Sequence, residues 1–270
     1  MKIALAPIGI REYRGIPGST GFKEGIMTLL KRVKAIGYDG IEMANPDGFT
    51  IKEYKDFMDE IGLEVTSAGG IFNWLDRDDY SEVIERCKLL GAKNIMIGSP
   101  PPLTLGNPHE LSKFIEKLNR AGKAFIAEGI HVSYHNHAIE FAKDKGKTMY
   151  ETIIDETEKG SVFFEPDTHW IQAGGGHVIS WLQKLKGRIY IVHFKDYGID
   201  PYSDHAFLEG THKRFMEVGE GNLNWEGIIE ECKSQDYIKW CAVEQDNSHR
   251  PPYESAAISA GNLRKMGMGA

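Results

Sequence analysis

One short segment of the sequence carries a high density of side chains that can bind a metal ion or transfer a proton. Segment 134–141 reads YHNHAIEF, so two imidazoles, an amide and a carboxylate fall within six positions. It directly follows the apolar residues Ile130 and Val132, which are typical of a buried strand. Packing alone does not explain such a density at the end of a strand, and the segment therefore predicts a functional site.

Three other apolar runs end in side chains of the same kind, namely Asp167, His193 and Glu244. Four strand ends would then offer two Glu, one Asp and one His to a divalent ion. Mostly oxygen ligands with one imidazole favour Mn²⁺, Mg²⁺ or Co²⁺ over a structural zinc site, which uses more sulfur or nitrogen. Such an ion polarises a carbonyl and a neighbouring hydroxyl together, and a nearby carboxylate or imidazole can then remove the proton on the carbon between them.

Polar residues concentrate at the carboxyl ends of the predicted strands. The set comprises Glu42, His135, His137, Glu140, Glu165, Asp167, His169, His193, Lys195, Asp196, Glu244 and Asp246. Each one taken singly has a structural explanation, since a carboxylate after a strand is often a helix N-cap. A lone histidine is likewise often a buried structural residue whose ring nitrogens already have hydrogen-bond partners. Their concentration at one end favours a shared site.

Eight apolar runs of strand length recur along the chain, and segments with helical periodicity separate them. The runs are Ile3–Pro7, Gly40–Met43, Leu63–Ser67, Asn94–Gly98, Ile130–Tyr134, Ser161–Phe164, Ile189–His193 and Trp240–Val243. Continuous apolarity is typical of parallel strands covered by helices. Apolar residues at three- and four-residue steps predict helices over 22–36, 54–61 and 111–126, the first two ending before Gly37 and Gly62.

Eight strands alternating with helices over 270 residues predict an α/β fold, a (β/α)8 TIM barrel whose active site lies at the carboxyl ends of the strands. A doubly wound open sheet is the alternative, but no GxGxxG motif follows the first strand. Residues 1–270 are predicted to form a single domain, because no Pro- or Ser-rich linker interrupts the pattern. The irregular segment Asp196–Asn224 follows the seventh strand and is predicted to cover the site.

Composition limits the classes of partner and the location. The net charge of −7 argues against nucleic acid, whose phosphates need clustered Lys and Arg. Only three cysteines occur, without a CxxC spacing, so neither a disulfide framework nor a thiolate zinc site is expected. The first apolar run is too short for a signal peptide, and no stretch approaches the ~18 apolar residues of a membrane helix. A cytoplasmic protein with no membrane partner is expected.

Five motifs resemble those of the sugar phosphate isomerase/epimerase family in the xylose isomerase-like TIM barrel superfamily. They are YHNHAIEF at 134–141, EPDTHW at 165–170, VHFKD at 192–196, VGEG at 218–221 and VEQD at 243–246, and the resemblance extends from Met1 to the 259–267 tail. Members are mostly metal-dependent isomerases, epimerases, inosose dehydratases and lyases that act on 3-keto-glycosides. The resemblance implies a xylose isomerase-like barrel. Apurinic endonucleases share the superfamily, but the negative net charge disfavours that class.

The resemblance also implies a metal ligand set of Glu, Asp, His and Glu from strands five to eight. Asp167, His193 and Glu244 match the last three ligands. In the ketose epimerases the fifth strand ends with a Glu before an Asn, whereas here His135 holds that place. We predict Glu140, the nearest carboxylate, as the first ligand, and leave open whether His135 or His137 takes this role instead.

The other polar groups are predicted to act on the substrate. His135 and His137 are the candidate acid–base groups, Glu244 joins them as a catalytic carboxylate, and Lys195 would stabilise the developing oxyanion. The predicted substrate-binding residues are Glu42, Glu165, His169, Trp170 and Asp246. Trp170 stands where the epimerases often carry a substrate-binding histidine, and its indole favours a cyclic sugar or cyclitol.

The predicted function is that of a metal-dependent isomerase or epimerase that forms an enediolate from a sugar, keto-sugar or cyclitol. The alternatives are a lyase or dehydratase of the same superfamily and a non-catalytic sugar-binding accessory barrel. The expected cofactor is a divalent metal ion, Mn²⁺ in first place, with Mg²⁺, Co²⁺ or Zn²⁺ as alternatives. Mixed charge after strands seven and eight favours an unphosphorylated substrate. A homo-oligomer is compatible with the sequence.

Overall fold

The computed structural model describes residues 1–10, 21–44, 46–68, 72–199 and 213–269, which contain twelve strands and nine α-helices. The strands are β1 (Lys2–Ala6), β2 (Gly40–Ile41), β3 (Glu64–Val65), β4 (Asn94–Ile97), β5 (His131–His135), β6 (Lys143–Asp144), β7 (Lys147–Thr148), β8 (Val162–Glu165), β9 (Ile191–Phe194), β10 (Asp196–Ile199), β11 (Lys213–Met216) and β12 (Trp240–Glu244). The helices are α1 (Phe22–Ile36), α2 (Ile51–Ile61), α3 (Ser81–Leu90), α4 (Pro108–Ile126), α5 (Met149–Glu156), α6 (Thr168–Ala173), α7 (Val178–Lys184), α8 (Trp225–Lys233) and α9 (Pro252–Lys265).

Eight of the described strands run parallel around a barrel, and each of them overlaps one of the predicted apolar runs. β3, β2, β1, β12 and β9 pair in that order, and β4, β5 and β8 form a second group. Isolated parallel bridges from Phe164 to Ile189 and from Asp167 to His193 join β8 to β9. The N–H of Ala68 donates to the carbonyl of Asn94 at 2.9 Å, which joins β3 to β4. The prediction of a (β/α)8 barrel is therefore confirmed, and the alternative of a doubly wound open sheet is wrong.

Local sequence signals explain where the helices begin and end. Thr50 caps α2 in a capping box, in which its side chain accepts from the N–H of Glu53 and the Glu53 side chain returns to Thr50. Gly37 and Gly62 end α1 and α2 with φ of 107° and 66°, a left-handed conformation that costs little only for glycine. The three predicted helices are confirmed as α1, α2 and α4. The sequence pattern does not predict α3, whose buried face is short.

Alternation along the strands divides side chains between the barrel interior and the helical layer. In β5, Val132 and Tyr134 belong to the apolar core beneath the helices, which leaves Ser133 and His135 on the inner face. A separate apolar cluster of Ala4, Ile191, Trp240 and Ala242 fills the interior near the start of the strands. Closer to the carboxyl ends, the buried interior residues are polar, namely His135, Glu165, His193 and Glu244. Asn94, which begins β4, donates to Glu165 and accepts from Ser133, so these two buried polar residues adjoin the same region. The barrel therefore opens onto a polar site at the end where active sites of this fold lie.

Two short antiparallel hairpins, β6–β7 and β10–β11, accompany the barrel. The second occupies part of the segment predicted to be irregular, with Asp196 paired to Met216. This part is more regular than predicted. The sequence does not indicate the hairpin, because neither of its strands has the continuous apolarity that predicts the barrel strands.

Residues 200–212 lie outside the described part of the chain, so a covering role for segment Asp196–Asn224 stays a prediction. The single domain over 1–270 also stays a prediction. None of the described helices has the length and hydrophobicity that a membrane span requires.

Candidate active site

Four buried side chains from four strand ends converge at the carboxyl end of the barrel. His135, Asp167, His193 and Glu244 each contribute one ligand-capable atom, and these atoms all lie within 4.8 Å of one another. Strand alternation turns His135, His193 and Glu244 inward, and Asp167 pairs with His193 through a parallel bridge. Four donors within this span are suited to the first coordination shell of a divalent metal ion. We call these four residues the ligand cluster.

Two buried atoms of the ligand cluster have no hydrogen-bond partner among the described residues. Asp167 uses its Oδ1 to cap α6, where it accepts from the N–H of Trp170 at 2.8 Å. Its Oδ2 makes no hydrogen bond, although the Lys195 ammonium lies 3.3 Å away. The Nδ1 of His135 is the second such atom. Buried polar atoms normally have partners, so this pair fits a cation that would supply the missing contact.

Lys195 places a buried ammonium beside the ligand cluster. Its Nζ lies 2.7 Å from Glu244 Oε2 and 2.7 Å from Asp246 Oδ2. The aromatic rings of Trp170 and Phe215 cover it, with their centroids 4.9 Å and 5.3 Å from Nζ. Burial alone would lower the pKa of Lys195, but the neighbouring carboxylates outweigh burial and raise it above its ordinary value. The side chain therefore carries a full positive charge at neutral pH.

Glu42 and Glu165 lie behind His193, not at the mouth of the barrel where substrate-binding residues were predicted. His193 turns Nδ1 towards Glu244 Oε2 at 3.2 Å. Its Nε2 lies 2.7 Å from Glu42 Oε2 and 2.7 Å from Glu165 Oε1. Both glutamates are buried, so the imidazole separates them from the ligand cluster. The structure therefore places both glutamates beside Nε2 of His193, whereas the sequence predicts them as substrate-binding residues.

The buried carboxyl groups near His193 differ in the direction in which their pKa values are shifted. Burial raises the pKa of Glu165 to about 8, and the charge of Glu42 adds to the rise. Burial also raises the pKa of Asp167 to about 7, although Lys195 opposes it. For Glu244, burial is outweighed by Lys195 and His193, and its pKa lies well below its usual range. Glu244 is thus ionised at neutral pH, whereas Asp167 gains most from a nearby cation.

Histidines and larger aromatic side chains meet at the mouth of the barrel. The ring centroid of His137 lies 5.5 Å from that of Trp170. His169 packs against Trp170 and Phe215 at 4.9 Å and 4.4 Å, and its Nδ1 is 2.8 Å from the carbonyl oxygen of Asp196. Burial lowers the pKa of His137 and lowers that of His169 to about 4. Both rings are therefore neutral at neutral pH, and a neutral imidazole can accept a proton.

Glu140, which the sequence predicts as the first ligand with His135 or His137 as alternatives, does not belong to the ligand cluster. It is buried in a short 3-10 helix, Ile139–Phe141. Its Oε1 accepts from the Tyr134 hydroxyl at 2.6 Å, and its Oε2 accepts from the N–H of His137 at 2.9 Å. Both oxygens of Glu140 therefore hold the chain after β5. His135 is the residue from the fifth barrel strand that belongs to the ligand cluster. The period of two along β5 was the signal that favoured His135.

The structure brings the remaining predicted residues to the mouth, and it also places there one aromatic residue of the segment predicted to cover the site. His137, His169, Trp170, Lys195 and Asp246 all lie at or beside the ligand cluster. This residue is Phe215, whose ring covers the Lys195 ammonium. Asn94, which the sequence analysis does not name as a site residue, lies behind His193 instead, where its side-chain amide donates to Glu165 at 2.9 Å. A polar residue at the start of an apolar strand is the signal that could have indicated Asn94.

Comparisons with known proteins support the fold. A family model described as a xylose isomerase-like TIM barrel matches residues 30–266. The inosose dehydratase of Clostridium beijerinckii is 25% identical over 284 aligned residues, which cover 95% of this chain and 94% of that protein. A sugar phosphate isomerase/epimerase from Parabacteroides distasonis superposes with a TM-score of 0.73 at 22% identity, over 97% of this chain and 93% of that one. A xylose isomerase-like TIM barrel protein from Mycobacterium smegmatis, solved in complex with magnesium, superposes with a TM-score of 0.70 at 15% identity, over 98% and 96% of the two chains.

Proposed function

The chain belongs to the xylose isomerase-like TIM barrel family, whose model covers residues 30–266, and from this membership we propose that it is a metal-dependent enzyme acting on a sugar or cyclitol. The family predicted from the motifs is thereby confirmed. The proposed reaction removes the proton on the carbon next to a carbonyl, gives an enediolate, and returns an isomer or epimer. The observation that carries the proposal is the ligand cluster, whose donor atoms lie within 4.8 Å of one another.

His135, Asp167, His193 and Glu244 would hold the ion. This set has two imidazoles and two carboxylates, so it is richer in nitrogen than the set expected from the sequence. We therefore place Mn²⁺, Co²⁺ or Zn²⁺ ahead of Mg²⁺, because imidazole suits transition metals and zinc better than it suits magnesium. The magnesium complex of the related Mycobacterium smegmatis protein makes Mg²⁺ the alternative. When bound, a divalent ion polarises a carbonyl and an adjacent hydroxyl.

His137 is the proposed base. Its ring lies outside the ligand cluster, contacts the ring of Trp170, and is neutral because burial lowers its pKa. His169 is less suitable, since its Nδ1 is engaged by the carbonyl of Asp196 and its ring is almost fully buried. Lys195 would stabilise the negative charge that develops on the substrate oxygen, because a buried ammonium interacts strongly with a new anion.

Trp170 supports a cyclic substrate. Its half-buried indole stands at the mouth between His137 and His169, where it offers an apolar wall beside the polar cluster. The C–H faces of a sugar or cyclitol ring pack well on such a surface, whereas an open-chain ketose depends more on hydrogen bonds. We therefore propose a keto-sugar, a 3-keto-glycoside or a keto-cyclitol as the substrate.

We expect the Mn²⁺-loaded protein to convert an inosose or a 3-keto-glucoside faster than it converts fructose, tagatose or psicose. Proton abstraction in deuterated water should place deuterium on the product carbon, which NMR detects. Faster conversion of any open-chain ketose would contradict the cyclic substrate, and product free of solvent deuterium would indicate a hydride shift. Sugar binding without conversion of any of these compounds would favour the non-catalytic accessory barrel.

Elimination after the same proton abstraction is the second candidate. Two observations favour it: the Lys195 ammonium can donate a proton to a leaving hydroxyl or alkoxide, and the relative from Clostridium beijerinckii that matches 95% of this chain is an inosose dehydratase. Mass spectrometry of the product from the inosose distinguishes the two reactions, since elimination removes water and isomerisation leaves the mass unchanged.

Glu140→Gln is expected to keep its metal, whereas His135→Ala is expected to lose it. In the first variant an amide oxygen still accepts from the Tyr134 hydroxyl, and the ligand cluster is unchanged. Elemental analysis after dialysis measures the bound metal, and the melting temperature of each metal-free protein checks its folding. Metal loss in Glu140→Gln together with metal retention in His135→Ala would restore Glu140 as the first ligand.

A further inference from the structure

A buried polar layer extends across the barrel interior behind His193. Glu42 follows β2, and Glu165 ends β8; both carboxylates reach Nε2 of His193 at 2.7 Å. The second oxygen of Glu165 accepts from the side-chain amide of Asn94 at 2.9 Å. Asn94 is held in turn by the hydroxyl of Ser133, which donates to its Oδ1. Glu165 is therefore held by Asn94 from behind, and Glu42 is held through its contact with the imidazole.

The two nitrogens of His193 face carboxylates on opposite sides of the ring. Nε2 lies 2.7 Å from Glu42 Oε2, and an ionised carboxylate only accepts a hydrogen bond, so the hydrogen on Nε2 is held on the Glu42 side. Nδ1 is the atom on the Glu244 side, at 3.2 Å from Oε2, and therefore faces the ligand cluster. A metal ion bound at Nδ1 would replace the hydrogen there and use the nitrogen lone pair, and the single remaining ring hydrogen would stay on Nε2.

We infer that Glu42 and Glu165 are positioning residues that set the tautomer and the ring orientation of His193, and so present its Nδ1 to the metal ion. This inference rests on the proposed function, because it requires that His193 be a metal ligand. The two glutamates are buried behind the imidazole, so they act through it and do not touch the substrate. Metal-bound histidines commonly donate their second N–H to a carboxylate, which orients the ring and strengthens the ligand.

Glu42→Leu and Glu42→Gln test the inference by the affinity for Mn²⁺, measured by calorimetry with the whole protein. Leucine removes the acceptor, and we expect the Kd to rise by about 10- to 100-fold, the range found for outer partners of metal ligands. Glutamine keeps an acceptor oxygen, and we expect a smaller rise. Ser133→Ala is the matched control, because Ser133 belongs to the same buried layer but contacts Asn94 and not His193. Its Kd should stay within about twofold of the wild-type value.

NMR of the Zn²⁺-loaded protein gives a readout that a purely structural role would not change. The ring N–H of His193 should appear on Nε2 in the wild type and should lose that protected signal in Glu42→Leu. If Glu42→Leu does not fold, the same signal in Glu42→Gln should shift but persist. A normal Kd and an unchanged Nε2–H signal in a folded Glu42 variant would overturn the inference. Equal weakening in Ser133→Ala would also overturn it, whereas a wild-type protein that binds no divalent ion would overturn the proposed function.

Discussion

Asp167→Asn is expected to bind Mn²⁺ more than about 100-fold more weakly than the wild type, a larger loss than outer partners of metal ligands cause. Turnover should fall by about 1,000-fold or more, because polarisation by the ion is worth several kcal/mol and each ~1.4 kcal/mol is a factor of ten. Asparagine keeps the oxygen that caps α6 through the N–H of Trp170, so the local fold should survive. What the variant loses is a negative charge at Oδ2, the buried atom with no hydrogen-bond partner in the described residues.

Metal content by elemental analysis and Kd by calorimetry measure the effect of Asp167→Asn. Asp155→Asn is the matched control, because it makes the same chemical change in an exposed ion pair with Lys147, at 2.9 Å and away from the ligand cluster. The control should keep its metal and its activity. His193→Ala should lose the metal as Asp167→Asn does. Full metal retention in both cluster variants would contradict the assignment of all four ligands.

Strand ends could be located from the sequence because apolar runs of strand length are bounded by polar residues. Asp167, His193 and Glu244 are predicted in this way to lie close together, since parallel strands present their carboxyl ends to one face of a barrel. The structure places all three in the ligand cluster. This placement can be predicted because it requires only the order of the elements and the end at which each polar side chain stands.

The first ligand and the two buried glutamates required information that the sequence does not display. The charge of Glu140 favours it as a ligand, but a turn of 3-10 helix after β5 directs its carboxylate to Tyr134. The position of Glu165 at the end of a strand predicts that it lies at the mouth, yet its depth depends on the pairing of β8 with its neighbours. His135 pairs with Glu165, whereas Asp167 pairs with His193. Relative depth in a barrel is set by this register, which results from packing over the whole sheet.

Lys195→Met is expected to reduce turnover by about 100- to 1,000-fold, the range measured when one stabilising group for an oxyanion is removed. Methionine has a similar length and can occupy the space beneath Trp170 and Phe215, so the apolar contacts should survive. The metal-free variant should unfold at a lower temperature than the wild type, because Glu244 and Asp167 lose their buried counter-ion. The affinity for the metal ion should change in the opposite direction. The ammonium lies 2.7 Å from Glu244 and 3.3 Å from Asp167, so it competes with a divalent ion for two of the four ligands.

Removing this competing cation should strengthen Mn²⁺ binding by at least about tenfold, because repulsion between neighbouring cations in a protein exceeds ~1.4 kcal/mol. Calorimetry and steady-state kinetics on Lys195→Met measure the two effects, and Lys117→Met, which alters an exposed ion pair with Asp76, is the control. Tighter metal binding together with lost turnover in Lys195→Met would show that the Lys195 charge acts in the reaction and is not required to build the metal site. Weaker metal binding would mean that Lys195 holds the ligand carboxylates in place, and wild-type turnover would exclude it as the group that stabilises the oxyanion.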